Sequence, residues 1–471
     1  MNCTCTNTRT ESDSIGSKVL PADVYYGVQS LRAMENFSIT GHRMIPEMIN
    51  SLALLKKACA IANRDAGVYE AKIADAIIAA CDDICAGKFH DQFIVDPIQG
   101  GAGTSMNMNI NEVAANVAIE KLGGRLGDYT VVHPNDHVNQ GQSTNDIVPT
   151  AGKMTVITLL QPLMKSLKEL EEALTKKAVE FDSIIKMGRT QLQDAVPIRL
   201  GQEFTAYASA VRRGLKRIEA CQSEMYAVNM GGTAIGTGIN ADLGYYNNVT
   251  KVLAELTGVP YYQAEDMIDG TQHIDCYGAV SSALKECALA LSKISNDLRL
   301  MSSGPRTGIG EINLPGRQNG SSIMPGKVNP VIPEVVNQVA FRVMGNDVTI
   351  SMAVEAGQFE LNAFEPVVFD ALFQSITTMT GAVQTLTVNC VEGITANEEY
   401  CLDLLNASVG TITAVCPYIG YAQAAALAKE ALKTRVPVRK LLVERGIMTA
   451  EEVEKVLDAF EMTKPGVPGK N

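Results

Sequence analysis

The strongest constraint on what this chain can fold into is a heptad periodicity that recurs in three separate stretches. Leu160, Leu163, Leu167, Leu170 and Leu174 step by three and four residues. Val280, Leu284, Cys287, Leu291, Ile294, Leu298 and Met301 repeat the pattern, and so do Leu372, Ile376, Met379, Val383 and Leu386. An α-helix has about 3.6 residues per turn, so this spacing gathers apolar side chains into a narrow stripe that other helices must cover. Three such stripes predict a mainly α fold around a central long-helix bundle with left-handed crossings, extended between subunits into a multi-helix core. The stripe residues are core; they carry a site without taking part in it. No strand–helix alternation runs through the chain, which argues against a dinucleotide-binding βαβ fold.

Polar residues concentrate between the helical stretches. Residues 1–20 read as a polar leader without regular structure. Helices are expected at about 46–64 and 71–86; in the second, Ile73, Ile77, Cys81 and Ile84 share a face. Gly100-Gly-Ala-Gly-Thr-Ser-Met-Asn107 is a polar loop that opens a further helix. His133 to Asp146 contains almost no core-forming residue and precedes a long helix expected from near Pro149 to near Phe181. Free N–H groups and the positive dipole end make a helix start an anion site, and Ser143, Thr144 and Asn145 stand where such donors are exposed. Helix capping alone is the other reading. Gly231-Gly-Thr-Ala-Ile-Gly-Thr-Gly238 imitates a dinucleotide fingerprint, but no strand pattern precedes it and Ala241 stands where a third glycine could be. After about Asn397 the heptads stop, and short helices follow at Ala424–Lys433, Val438–Arg445 and Ala450–Phe460, the last opened by the capping-box pattern Thr449-Ala-Glu-Glu452. The expected domains are 1–142, mostly helical; 143–397, the long-helix bundle; and 398–471, a small helical domain.

One loop stands out chemically. Gly320-Ser-Ser-Ile-Met-Pro-Gly-Lys-Val-Asn-Pro330 excludes regular helix or strand. It carries two adjacent hydroxyls, a Lys and an Asn among Ile323, Met324 and Val328, which prefer burial. A Lys on a half-buried glycine-rich loop is a good anion receptor. A nucleotide P-loop is excluded by spacing: five residues separate Gly320 from Gly326, and Val328 rather than Ser or Thr follows Lys327.

The net charge of −12 makes nucleic acid and anionic membranes poor partners, so an anionic substrate must be gathered by local positive groups. No apolar run is long enough to span a bilayer and the start of the chain lacks an apolar signal core. The eleven cysteines are scattered through helical patterns and read as reduced thiols of a cytoplasmic protein, with Cys3 and Cys5 standing apart. With five His and no Cys-x-x-Cys pair, no metal site is expected.

The Gly320–Pro330 loop resembles the signature of the aspartase/fumarase superfamily, enzymes whose eliminations release fumarate. Tyr25–Phe37, Thr104, Gln142–Asp146 and Met187–Glu203 resemble further segments of that family, and the likeness runs from about Asp23 to about Asp458. It implies a mainly α, three-domain fold and a homotetramer whose sites are shared by three subunits. Four places favour the aspartase branch: Thr144, Gln191, Val331–Gln338 and Glu365. The implied reaction is the reversible elimination of ammonia from L-aspartate to fumarate through an aci-carboxylate, with Ser321 as general base. By the same resemblance Thr104, Ser143, Thr144 and Ser322 surround the carboxylate that gains charge. Lys327, Asn329 and Thr190 hold the other carboxylate, and Asn145 and Gln191 contact the amine. No cofactor is required; divalent-cation activation cannot be read from the residues. Class II fumarase is one alternative, and a catalytically inactive structural member, such as those used in the lens, is another. About 32 helical residues hold the ends of the helix between Thr144 and Thr190 some 48 Å apart, so if both segments contact one substrate, as the resemblance implies, they come from different subunits.

Overall fold

The computed structural model describes residues 7–470; Cys3 and Cys5 lie outside them. The chain is mainly α. Its helices are α1 (Val28–Asn36), α2 (Pro46–Asp65), α3 (Ala71–Cys85), α4 (Thr104–Lys121), α5 (Thr144–Glu180), α6 (Leu200–Gln222), α7 (Leu243–Thr257), α8 (Asp269–Gln272), α9 (Asp275–Met301), α10 (Val331–Glu355) and α11 (Glu365–Asn389), followed by the short α12 (Glu398–Ala407), α13 (Cys416–Ile419), α14 (Tyr421–Thr434), α15 (Val438–Glu444) and α16 (Ala450–Val456). The heptad residues of α5, α9 and α11 are buried throughout.

Two compact units emerge. The first holds residues up to 164 with 216–286 and 341–378; the second holds 165–215, 287–340 and 379 onward. The division passes through α5, α6, α9, α10 and α11.

In the first unit the expected unstructured leader is instead an antiparallel hairpin of β1 (Thr8–Asp13) and β2 (Gly16–Pro21). No apolar alternation announces it, because polar side chains hold it. Arg9 donates to the carbonyls of Ala22, Val24 and Tyr26 and pairs with Glu11 at 2.8 Å. Helix α1 starts at Gly27, which has no side chain to cap it. The buried carboxylate of Glu112, on α4, takes the place of a cap: it accepts from the backbone N–H groups of Gly27, Gln29 and Ser30 and from the Ser30 hydroxyl. A Cβ at Gly27 would lie 2.6 Å from that carboxyl group.

Helix α5 begins at Thr144 rather than near Pro149, and Pro149 and Pro162 lie inside it. It is 37 residues long, roughly 55 Å. Pro149 is tolerated because the carbonyl it leaves without a helical donor, that of Asn145, accepts from the Asn229 side chain at 2.8 Å.

In the second unit β3 (Ile185–Thr190) and β4 (Gln193–Arg199) form a hairpin with an irregularity between Met187 and Arg189, and α12 packs on β3. The C-terminal helices enclose their own core of Val438, Leu441, Leu442, Val453 and Leu457, and the capping box at Thr449 and Glu452 is formed.

Candidate active site

The ten candidate residues fall into three groups. The first is built where α4 and α5 begin. Gly103, in left-handed conformation at φ 84°, lets the start of α4 approach α5: a Cβ there would meet Val148 at 2.7 Å. Asn107, one turn into α4, donates to the Thr144 hydroxyl at 3.3 Å. Two helix N-termini therefore converge with their positive dipole ends. Thr104 is exposed and donates to the Gly101 carbonyl at 2.7 Å. Ser143 accepts from the Asn145 N–H at 3.2 Å. With lone pairs of Ser143 and Thr144 so engaged, the hydroxyl protons of both remain to be donated outward.

Beneath this turn lie two buried charges. Asp146 accepts from the N–H groups of Ser143 at 2.9 Å and Thr233 at 3.0 Å. Burial pushes its carboxyl up to about 7, against the pull of those N–H groups and of Lys56. Lys56 donates to Asn139 and Gln142, each at 2.8 Å, and burial brings its ammonium down to about 8. The Asn145 amide donates to the Ala234 carbonyl at 2.7 Å.

The second group is the hairpin tip. Thr190 and Gln191 are exposed, and Gln191 and Leu192 both have positive φ, 53° and 62°. That is the two-residue turn favoured between right-twisted strands, made here without glycine. The hairpin is anchored from below. Arg189 and Lys186 reach the fully buried Glu311 at 2.7 and 3.0 Å, and Lys186 also pairs with Glu203 at 2.8 Å.

The third group is the signature loop. Its neck is closed by the Gly320 N–H donating to the Lys327 carbonyl at 2.9 Å and by the Asn329 amide donating to the Gly320 carbonyl at 2.7 Å. Ser321 is half-buried, and its Oγ accepts from two backbone N–H groups, Ile323 at 3.2 Å and Met324 at 2.9 Å. Ser322 and Lys327 are exposed, and Lys327 has no ion-pair partner among the described residues. The apolar residues expected to be half-buried are not: Ile323, Met324 and Val328 are 83%, 48% and 57% exposed.

Thr104 is thus brought to Ser143, Thr144 and Asn145, while Ser321, Ser322, Lys327 and Asn329 share one loop. No hydrogen bond joins that loop to Thr190 or Gln191 among the described residues. Glu365 belongs to none of the groups. It is buried at the first position of α11, where desolvation raises its carboxyl to about 8 and Lys153 only partly offsets this. Sequence reasoning missed Lys56, Asp146 and the Gly231–Gly238 loop as parts of the first group. The signals were a Lys inside the apolar run of α2, and a loop with four glycines for which no nucleotide fold was found.

A sequence profile described as lyase matches residues 16–345, and one described as fumarase C C-terminus matches residues 412–464. Aspartate ammonia-lyases from a Bacillus species, Bacillus subtilis and Escherichia coli are 53%, 54% and 47% identical to this chain; the alignments cover 99%, 98% and 98% of it and 99%, 97% and 98% of them. A Brucella melitensis structure named fumarate lyase:delta crystallin superposes with a TM-score of 0.95 at 46% identity, over 98% of this chain and 100% of that one. A class II fumarase from Schistosoma mansoni superposes equally well, 0.95, at 34% identity over the same shares of both chains.

Proposed function

Because this chain belongs to the lyase family of the aspartase/fumarase superfamily, we propose that it is an aspartate ammonia-lyase, acting in the cytoplasm and converting L-aspartate reversibly to fumarate and ammonia. The Cβ proton of aspartate is weakly acidic, because its removal puts a second negative charge on the neighbouring carboxylate. Donors fixed around that aci-carboxylate supply the main stabilisation. Thr104, Ser143, Thr144 and Ser322 fill this role, Thr104 by turning its hydroxyl from the Gly101 carbonyl. Lys327, Asn329 and Thr190 hold the α-carboxylate, Lys327 as a cation with no ion-pair partner among the described residues. Asn145 and Gln191 face the amine. No cofactor is required, since hydroxyls, N–H groups and one ammonium meet the charge that develops.

Ser321 takes the proton. A free serine hydroxyl is far too weak a base at pH 7. The observation that carries this reading is the pair of N–H donors, Ile323 and Met324, aimed at Ser321 Oγ. They stabilise an alkoxide where an unassisted hydroxyl has no such support.

The site is completed by other copies of the chain, in a homotetramer. Helix α10 leaves Phe341, Val348 and Met352 exposed along one side, at 62%, 60% and 67%. A helix with a buried face and a second apolar stripe suits a bundle that continues into a partner. The exposed apolar residues of the signature loop point the same way.

The test is fumarate absorbance with L-aspartate and with L-malate as substrates. Fumarate from aspartate and negligible fumarate from malate is the expected result. Comparable turnover of malate would make the protein a fumarase, and no turnover of either a structural member.

A further inference from the structure

Beneath Thr144 lies a set of buried polar side chains that have no place in the mechanism so far. We propose that Asn107 is a positioning residue for the reaction: it turns the Thr144 hydroxyl so that its proton points to the carboxylate that gains charge, and Lys56 sets the direction of that contact through Asn139; the inference rests on the reading of Thr144 given above.

The directions follow from donor and acceptor chemistry. The Lys56 ammonium can only donate, so the Asn139 and Gln142 atoms 2.8 Å from it are Oδ1 and Oε1. The other ends of both amides agree. Asn139 Nδ2 donates to the Gln142 carbonyl at 3.1 Å, and Gln142 Nε2 donates to the carbonyls of Val138 and Gln140 at 3.1 and 3.2 Å. Because Asn139 Oδ1 can only accept, the Asn107 atom 3.1 Å from it is Nδ2. The second N–H of that nitrogen reaches Thr144 Oγ1 at 3.3 Å. Thr144 must accept there, and no described residue takes its proton, which is left for a ligand.

Lys56 and Asn107 are buried, so these contacts are not traded for water. A hydroxyl in water turns freely, whereas this one has its direction set before substrate arrives. A donor fixed in advance is what stabilises charge that develops only in the transition state. The network also holds a comparison residue. Asn111, fully buried one turn further along α4, donates to the same Asn139 Oδ1 at 3.2 Å, but it makes no hydrogen bond to Thr144. Asn107 and Asn111 thus share a buried polar setting and differ in their reach to the hydroxyl.

The experiment measures kcat and KM for L-aspartate in wild type, Thr144→Val, Asn107→Ala, Asn107→Leu, Asn111→Ala and each Asn107 variant combined with Thr144→Val, with the fold checked by circular dichroism. Removing a donor to a developing oxyanion lowers kcat by about 10²–10³. Asn107 only aligns such a donor, so its loss should lower kcat about tenfold and leave KM within about threefold. In the Thr144→Val background the Asn107 substitutions should lower kcat no further, because Asn107 acts through that hydroxyl. Asn111→Ala should be less stable yet keep kcat within about threefold of wild type. An Asn107 variant with wild-type kcat, or a double variant that loses the product of both single effects, overturns the proposal and leaves the lyase reading intact. Failure of both Asn107 variants to fold also overturns it, by making Asn107 a structural residue. A Thr144→Val protein with wild-type kcat, or a wild-type protein that releases no fumarate from aspartate, overturns the reading beneath and the proposal with it.

Discussion

Replacing Glu311 with Ala tests the anchoring of the hairpin tip. The side chain is fully buried, with one oxygen 2.7 Å from Arg189 and the other 3.0 Å from Lys186, which is itself 2.8 Å from Glu203. Two cations are balanced by two carboxylates. Removing Glu311 leaves one cation in excess, and breaking a buried pair this way costs about 3–5 kcal/mol. Arg189 is 18% exposed, so solvent takes up part of the loss. We expect the lower end, about 3 kcal/mol, or roughly two powers of ten in the unfolding equilibrium. Urea unfolding followed by circular dichroism, at fixed protein concentration, measures it. The double variant Glu311→Gln/Arg189→Met leaves Lys186 and Glu203 balanced and should be less destabilised than Glu311→Ala. Because Arg189 precedes Thr190, KM for aspartate should also rise in Glu311→Ala. An unchanged urea midpoint, or a double variant weaker than the single one, would refute this reasoning.

The remaining expectations concern the loop, a buried acid and the assembly. Gly320→Ala places a Cβ 2.3 Å from the Lys327 carbonyl, so the loop neck must open; activity should fall at least tenfold with an unchanged circular dichroism spectrum, and full activity would contradict it. Glu365, raised to about 8, is neutral in the folded protein between its unfolded value and that pH, so its contribution to stability is present at low pH and lost as pH rises through 8. Glu365→Gln should therefore melt close to wild type at acidic pH and several degrees above it at alkaline pH; a gain that shrinks as pH rises would contradict the assignment. Ser143→Ala and Ser321→Ala, each nearly inactive, should regain activity when unfolded and refolded together, and confirmed mixed oligomers without activity would count against a site shared between subunits.

Much of the fold was legible because heptads state their own geometry. The seams of α5, α9 and α11 and the capping box at Thr449 emerge as expected. The hairpin at Thr8–Pro21 was not legible, because its inward groups are charged and its stability lies in Arg9 reaching distant carbonyls. The start of α5 was misplaced for a related reason: a proline signals a helix boundary, and only the side chain of Asn229, 84 residues away, makes Pro149 acceptable inside one. In the candidate site the hydroxyls and Lys327 came from motif likeness. The supporting groups did not, because a buried Lys56 or Asp146 is a matter of three-dimensional surroundings. Neither the two N–H donors on Ser321 nor the orientation of Asn145 is written in residue spacing.

The central claim is that Ser321, held by the N–H groups of Ile323 and Met324, removes the proton. Its most direct test is kcat and KM for L-aspartate in the Ser321→Ala protein, with the fold checked by circular dichroism. Loss of a general base lowers kcat by about 10²–10⁴ while KM stays within about threefold. A Ser321→Ala protein whose kcat stays near wild type would show that another group takes the proton, and the account of the loop would fall.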